Sequence, residues 1–134
     1  MMRRALTILL FALSLAGAGH IGWYGDYDRA LEMAQKSGRP MLVVLVRRSC
    51  APCGRLVASL ADHEALSRLI DEKTVPVLVT QENGDYPIEL LYTLEYPTLF
   101  LLSPEENFLM APMRGETDPS LLRRRLEKEV LDER

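Results

Sequence analysis

Hydrophobic residues along the chain form several short continuous runs, and four of these runs predict β-strands. The first, MLVVLV at 41–46, is apolar throughout and rich in β-branched residues, which is typical of a strand covered on both faces of a sheet. VPVLVT at 75–80 predicts a second strand and YPTLFLLS at 96–103 a third. FLMAPM at 108–113 predicts a fourth strand, and because only PEEN separates it from the third, the two are expected to form a hairpin.

Apolar positions elsewhere recur every three or four residues, which is the spacing of an amphipathic helix. Such a stripe within 27–34 predicts a first helix that begins after an N-cap at Asp26 and stops at Gly38. The stretch 54–72 predicts more helix, bent or broken near Ala61–Asp62, where Asp62 would cap a second segment.

The last helix is expected at 118–134, with Asp118 as N-cap and Pro119 at the first helical position, where a missing N–H costs nothing. Its apolar stripe is supplied by Leu122, Leu126 and Val130. The stretch 81–94 predicts a loop that carries a short helix, because its Asn-Gly pair is a turn signal.

The predicted order is therefore helix, strand, helix, strand, short helix, strand, strand, helix. A strand–helix–strand start implies a parallel crossover, and the closing hairpin adds antiparallel strands to the same sheet. We expect an α/β fold with a mixed central sheet of about four strands and helices on both faces. The length of 134 residues suits one domain, predicted at 19–134.

The N-terminal residues have the three parts of a secretory signal peptide. MMRR is basic, ALTILLFALSLA is apolar, and Ala16-Gly17-Ala18 has the small residues that a signal peptidase accepts. The alternatives are a membrane anchor or a buried N-terminal helix, but the apolar run is shorter than the roughly 20 residues of a bilayer span. We predict a cleaved signal peptide at 1–18, cleavage after Ala18, and a periplasmic or otherwise exported protein with no membrane span after cleavage.

Composition narrows the possible functions further. The chain is 48% hydrophobic and 26% charged, as in ordinary soluble globular proteins. Its net charge of −3 argues against a nucleic-acid partner, because no basic field is available to attract phosphates. An exported protein also experiences conditions in which disulfides form and persist.

The chain has two cysteines, Cys50 and Cys53, directly after the first predicted strand. A zinc site would need about four ligands, and only His20 and His63 could join the two thiols, so we expect no metal. A structural staple is also disfavoured, because a disulfide across two residues closes a very small loop and gains little stability. A redox pair is the favoured interpretation.

In that interpretation Cys50 lies at a helix N-terminus, where free N–H groups and the helix dipole favour a thiolate. Cys50 would be the nucleophile that attacks a partner disulfide, and Cys53 would resolve the mixed disulfide. Arg47 and Arg48 add positive charge nearby and would lower the pKa of Cys50, unless they are a solvated loop pair.

With these residues in view, the sequence resembles the thioredoxin superfamily over nearly the whole mature chain. Trp23, the first helix, the RP pair before MLVVLV and the CAPC motif are similar to the exported thioredoxin-like branch. EYPTLFLLS resembles the family's strand entry, which implies a cis Pro97 against the cysteines and a Tyr96 whose backbone pairs with the substrate chain. The resemblance also implies that Ala51 and Pro52 contact substrate, and it places Gly115 beside the site.

Two positions depart from that pattern. Ser49 stands where thioredoxins usually have Trp, and Val44 occupies the strand position of their buried acid, so the usual proton acceptor for Cys53 is missing. Pro52 cannot donate an N–H to the thiolate, which favours a reductant, while the arginines favour the opposite. The direction of electron flow therefore stays open, with reduction preferred.

The leading hypothesis is an exported thiol–disulfide oxidoreductase that reduces disulfides of other proteins, without a cofactor, and receives electrons from a membrane or periplasmic thiol donor. The alternative is a non-catalytic module that grips extended peptides through Tyr96 and Pro97. A weaker possibility is a Cu(I) carrier, for which Met110 and Met113 are the only hint. Trp23 and Tyr24 are expected to pack in the core, and Asp62, His63 and Glu64 to form a helix cap with an acidic first turn.

Overall fold

The computed structural model describes residues 20–131, so the predicted signal peptide and its cleavage point lie outside the described residues. The helices are α1 (Tyr27–Ser37), α2 (Ala51–Asp62), α3 (Glu64–Lys73) and α4 (Pro119–Val130). The strands are β1 (Met41–Val46), β2 (Val75–Thr80), β3 (Thr98–Leu102) and β4 (Met113–Arg114), and a 3₁₀ turn at Gln81–Asn83 follows β2.

The four strands form one mixed sheet in the order β2-β1-β3-β4. β1 and β2 are parallel and in register from Met41↔Val75 to Val46↔Thr80, so their carboxyl ends meet at the same edge. β3 runs antiparallel to β1, and β4 antiparallel to β3. The predicted mixed sheet of about four strands is confirmed.

Each face of the sheet carries its own hydrophobic core, because successive residues of a strand point to opposite faces. On one face Leu42 and Val44 of β1 pack with α2, α3 and α4; on the other, Met41 and Val43 pack with α1. All four of these β1 side chains are fully buried, which explains the unbroken apolar run in the sequence. The prediction of helices on both faces is confirmed.

The helix ends follow the predicted capping signals, with one exception. Asp26 and Asp118 cap α1 and α4 by accepting backbone N–H bonds, and Gly38 ends α1 in the left-handed conformation, at φ 71°. The prediction that Asp62 caps the second helical segment is wrong. His63 is the N-cap of α3, and its Nδ1 accepts the N–H of Leu66 at 3.2 Å. His63 can do this because its backbone is extended, whereas Asp62 still belongs to α2.

The predicted fourth strand is much shorter than 108–113. Phe108 makes a single bridge to Leu102, and regular pairing resumes only at Met113 with Leu99. Between these pairings two residues of β3 face four residues, 109–112, so the second strand bulges away from the ladder. Pro112 lies in this bulge and has no N–H to donate, which accounts for the interruption.

Two aromatic residues before α1 extend the structure at the β2 edge. Tyr24 forms a parallel bridge with Val77, and Trp23 packs half-buried against the core, as predicted for core aromatics.

Within residues 20–131, no helix combines the length and the apolar character needed to cross a membrane.

Candidate functional site

The two cysteines lie at the start of α2, shortly after the end of β1, at the carboxyl edge of the parallel strand pair. Cys50 is the N-cap of α2, with an extended backbone, and Cys53 lies in the first helical turn. Their sulfurs are joined in a disulfide with an S–S distance of 2.09 Å and a Cα–Cα distance of 5.3 Å. The sequence prediction that this pair opens a helix after a buried strand is confirmed.

The two sulfur-bearing residues differ in accessibility. Cys53 faces the core and is 4% exposed, whereas Cys50 is only partly buried. The Cys50 Sγ accepts the backbone N–H of Cys53 at 3.2 Å, so one of the free donors of the helix N-terminus points at this sulfur. This arrangement favours negative charge on Cys50 rather than on Cys53.

Ala51 and Pro52 occupy the first two helical positions between the cysteines. Ala51 is exposed and Pro52 half-buried, so the segment between the two cysteines is open to solvent. Pro52 has no N–H, which leaves the N–H of Cys53 as the donor seen at Cys50. The contacts of these two residues with a substrate stay a prediction.

Tyr96 and Pro97 lie directly opposite Cys50. The peptide bond between them is cis, Pro97 is buried, and the carbonyl oxygen of Tyr96 lies 3.9 Å from the Cys50 Sγ. The carbonyl of Pro97 accepts the N–H of Gly115 at 2.8 Å, and Gly115 has a positive φ of 78° that glycine adopts without strain. Gly115 therefore borders the Tyr96–Pro97 segment from the β4 side.

A buried hydroxyl network fixes the turn that leads into Tyr96. Thr93 and Thr98 are buried, and their hydroxyl oxygens lie 3.0 Å apart. The hydroxyl of Thr98 donates to the carbonyl of Glu95 at 2.6 Å, and the hydroxyl of Thr93 accepts the N–H of Glu95 at 3.1 Å. Tyr96 and Pro97 are thus held between residues that are themselves hydrogen-bonded in the protein interior.

Arg47 and Arg48 lie on the loop before Cys50, and each meets the connection 81–97 in a different way. The guanidinium of Arg47 lies 5.3 Å from the centre of the Tyr96 ring, which is within the range of a cation–π contact. The backbone N–H of Arg48 donates to the carboxylate of Glu82, at 3.0 and 3.2 Å from its two oxygens. Electrostatic tuning of Cys50 by the two arginines stays a prediction.

Tyr86 completes this side of the site. Burial raises the pKa of its phenol, and the neighbouring Tyr96 and Glu82 raise it further. Tyr86 and Tyr96 both pack against the core cluster on the α1 side of the sheet, and Tyr86 stays a neutral phenol at physiological pH because its pKa lies above the ordinary value of about 10.

Beneath the cysteines the core is apolar. Val44 is fully buried in the same cluster as Leu56 and Leu60 of α2, so no ionisable group occupies that strand position. Met113 is buried, and Met110 packs against the same cluster, so both methionines fill the core. Among residues 20–131, no group of three or more His, Cys, Asp or Glu side chains is arranged to hold a metal ion.

Several residues of this site were not predicted from the sequence: Glu82, Tyr86, Thr93 and Thr98. Glu82 and Tyr86 belong to a segment for which the sequence predicts only a loop with a short helix. The position of Glu82 was a usable signal, because it follows β2, whose carboxyl end lies beside that of β1. The threonine network forms because a turn brings Thr93 and Thr98, five positions apart, close together. No regular pattern of residues in the sequence predicts this contact.

Comparison with known proteins agrees with this geometry. Residues 22–104, more than half of the chain, match a family model described as thioredoxin-like. A comparison with curated protein sequences finds no match.

Solved structures show the same fold at low sequence identity. A structure described as DsbH oxidoreductase aligns with a TM-score of 0.71 and 16% identity, covering 87% of this chain and 88% of its own. A thioredoxin from Thermus thermophilus gives 0.66 and 22%, covering 81% and 85%, and a poplar thioredoxin h gives 0.63 and 18%, covering 81% and 90%. These likenesses extend over most of each protein and concern the fold.

Proposed function

The chain belongs to the thioredoxin-like family, and from that premise we propose that it reduces disulfides of other proteins outside the cytoplasm through Cys50 and Cys53. Family membership and the Cys-X-X-Cys pair support a thiol–disulfide oxidoreductase in general. The observation that carries the proposal is that the two cysteines differ in burial and in hydrogen bonding. Cys50 is accessible and receives an N–H bond at the start of α2, while Cys53 is enclosed.

The reaction begins with the reduced pair. The Cys50 thiolate attacks one sulfur of the partner disulfide, a mixed disulfide forms, and the other partner sulfur leaves as a thiolate that takes a proton. Cys53 then loses its proton and attacks the Cys50 sulfur. The second partner thiol is released, the Cys50–Cys53 disulfide remains, and two electrons have passed to the partner.

Tyr96 supports the entry of an extended partner segment. Its carbonyl oxygen lies beside the Cys50 sulfur, and no described backbone hydrogen bond engages that carbonyl. A partner strand could therefore pair with Tyr96 as it would at a sheet edge. This placement, next to the sulfur that must be reached, aligns the partner disulfide with Cys50.

The reducing direction is favoured by Pro52. A proline at the second helical position removes one N–H that would otherwise stabilise the Cys50 thiolate, and a less stabilised dithiol gives up electrons more readily. Titration of the pair against glutathione tests this. We expect a reversible two-electron couple whose midpoint potential lies below that of glutathione, and a potential well above it would instead indicate an oxidase or isomerase.

Export is proposed from the MMRR–ALTILLFALSLA–GA pattern at 1–18, which leads into a domain with a redox disulfide. N-terminal sequencing of the exported protein should find Gly19 first, and a retained Met1 would contradict cleavage. An oxidised pair must be reduced again after each turnover, so the proposal includes a thiol donor at the membrane or in the periplasm.

Exposed apolar side chains near Tyr96 favour a protein over a small molecule as the partner. Ile88, Tyr92 and Leu94 are 55%, 65% and 81% exposed, and they are three of the five large hydrophobic side chains that are exposed within residues 20–131. Leu94 is two residues from Tyr96, so their Cα atoms are at most about 7 Å apart. A partner chain bound at Tyr96 would cover the exposed side chain of Leu94.

Replacing Leu94 by serine should therefore weaken reduction of a protein disulfide. Losing about 1 kcal/mol of apolar burial corresponds to roughly a fivefold lower kcat/KM with insulin. The rate with glutathione disulfide should not change, because that molecule is too small to cover Leu94. The matched control is Leu131→Ser, which removes another exposed leucine that is distant from Leu94 in the sequence. Equal rates for Leu94→Ser and the control with insulin would remove the support for a protein partner.

The second candidate is a thioredoxin-like binding module that does not turn over. The observation in its favour is Val44, which leaves no acid at the strand position where the family keeps one for Cys53. A cysteine pair whose redox state does not respond across the accessible range of potentials would favour this candidate over the oxidoreductase.

A further inference from the structure

The loop between β1 and α2 contains a backbone conformation that needs external support. Only Arg47–Cys50 connect the two elements, and within this loop Ser49 has a φ of 51°, in the left-handed region. A non-glycine residue there costs about 1–2 kcal/mol, so the loop keeps this shape only where neighbouring contacts hold it. The shape matters because Ser49 directly precedes the Cys50 N-cap.

One contact holds the backbone of this loop from outside. The N–H of Arg48 donates to the carboxylate of Glu82, with both oxygens within 3.2 Å. Glu82 lies in the 3₁₀ turn that follows β2, and β2 pairs with β1 up to Val46↔Thr80. The carboxylate is thus anchored to the strand beside the loop, two residues beyond the last pair of the ladder.

The loop is also tied to the segment that carries Tyr96. Arg47 lies over the Tyr96 ring, and Glu82, which accepts the Arg48 N–H, belongs to the same connection, 81–97. Two adjacent residues therefore join the loop before Cys50 to the connection before Pro97. Arg47 makes its contact through the side chain, and Arg48 through the backbone N–H. Displacing one of these segments would displace the other.

We propose that Glu82 is a positioning residue for the disulfide site, acting through the Arg48 N–H to hold Cys50 at the N-cap of α2 and beside Tyr96. The role needs a hydrogen-bond acceptor at this point and does not need the negative charge. A glutamine can therefore replace Glu82 in this role, because its side-chain carbonyl accepts the same N–H, whereas an alanine cannot. The inference rests on the proposed function only in naming Cys50 as the reacting residue.

The test compares Glu82→Ala with Glu82→Gln in the reduced full chain. Both variants lack the carboxylate charge, so a difference between them cannot come from that charge. The measurement is the rate of Cys50 alkylation by iodoacetamide against pH, read by mass spectrometry. In the alanine variant the Cys50 pKa should lie above that of the glutamine variant by about half a unit or more, because a displaced loop weakens the Cys53 N–H bond to the thiolate.

Insulin reduction gives a second readout. We expect the alanine variant to lose about threefold in rate, as a half-unit rise in the Cys50 pKa predicts, and the glutamine variant less than twofold. Glu89→Ala, at an exposed glutamate of the same connection, should behave as the unmodified chain. A purely structural role would lower the melting temperature without separating the two alkylation profiles.

Superimposable alkylation profiles for Glu82→Ala and Glu82→Gln would overturn the proposal. Alkylation needs neither a partner disulfide nor an electron donor. The role of Glu82 can therefore be judged even if the chain fails to reduce insulin, and a failure of the proposed function is seen separately in the unmodified chain.

Discussion

When Cys50 is replaced by serine, the rate of insulin disulfide reduction is expected to fall to the rate measured without the protein. The substituted side chain keeps nearly the same size and can still cap α2, so the fold should be unaffected. What it lacks is a sulfur that can form a mixed disulfide. Cys53 cannot substitute for it, because Cys53 is 4% exposed and faces the apolar core. The measurement is turnover of insulin disulfides with dithiothreitol as donor.

The matched control for this variant is Ala58→Ser, which places the same hydroxyl at an exposed position of α2, five residues beyond Cys53. It should retain most of the activity, since both sulfurs remain. Full activity of Cys50→Ser would show that disulfide exchange in this chain does not pass through Cys50, and the mechanism would have to be abandoned.

Much of the fold could be predicted because its signals are local. The run 41–46 is apolar at every position because both faces of β1 are covered. Asp26 and Asp118 indicate where α1 and α4 begin, because aspartate is a preferred N-cap residue. The error at Asp62 arose because two adjacent polar residues can both cap a helix, and the choice of His63 depends on where the chain between α2 and α3 bends.

The shortened fourth strand shows a second limit of sequence patterns. Residues 108–113 are apolar as a strand would be, but Pro112 interrupts the ladder and Met113 is buried beyond a bulge. Hydrophobicity overestimated burial there, since Phe108 is 47% exposed and only Met113 is buried, and backbone pairing depended on a missing N–H. A proline within a strand-like run should have shortened the prediction.

The site divides in the same way. The cysteine pair could be recognised because two-residue spacing after a buried strand is visible in the sequence. Glu82 reaches Arg48 across 34 positions, and that contact exists only because β1 and β2 are parallel and adjacent. The contact of Arg47 with Tyr96 likewise depends on the tertiary fold, although the side chains of both arginines are exposed.

Replacing Cys53 by serine should have a different effect from the loss of Cys50. The variant keeps the accessible nucleophile, so it should attack a partner disulfide, but it lacks the sulfur that would release the product. Mixed disulfides should therefore accumulate to nearly one per chain, while insulin turnover falls to the background rate. The N–H of residue 53 remains in place, so activation of Cys50 at the helix N-terminus is preserved.

The most direct measurement of the central claim is the mass of each cysteine variant after reaction with glutathione disulfide. The account predicts that reduced Cys53→Ser gains one glutathione on Cys50, that dithiothreitol removes it, and that Cys50→Ser under the same conditions remains largely unmodified. An unmodified Cys53→Ser chain, or a Cys50→Ser chain that gains glutathione at the same rate, would contradict the assignment of Cys50 as nucleophile and Cys53 as resolving cysteine.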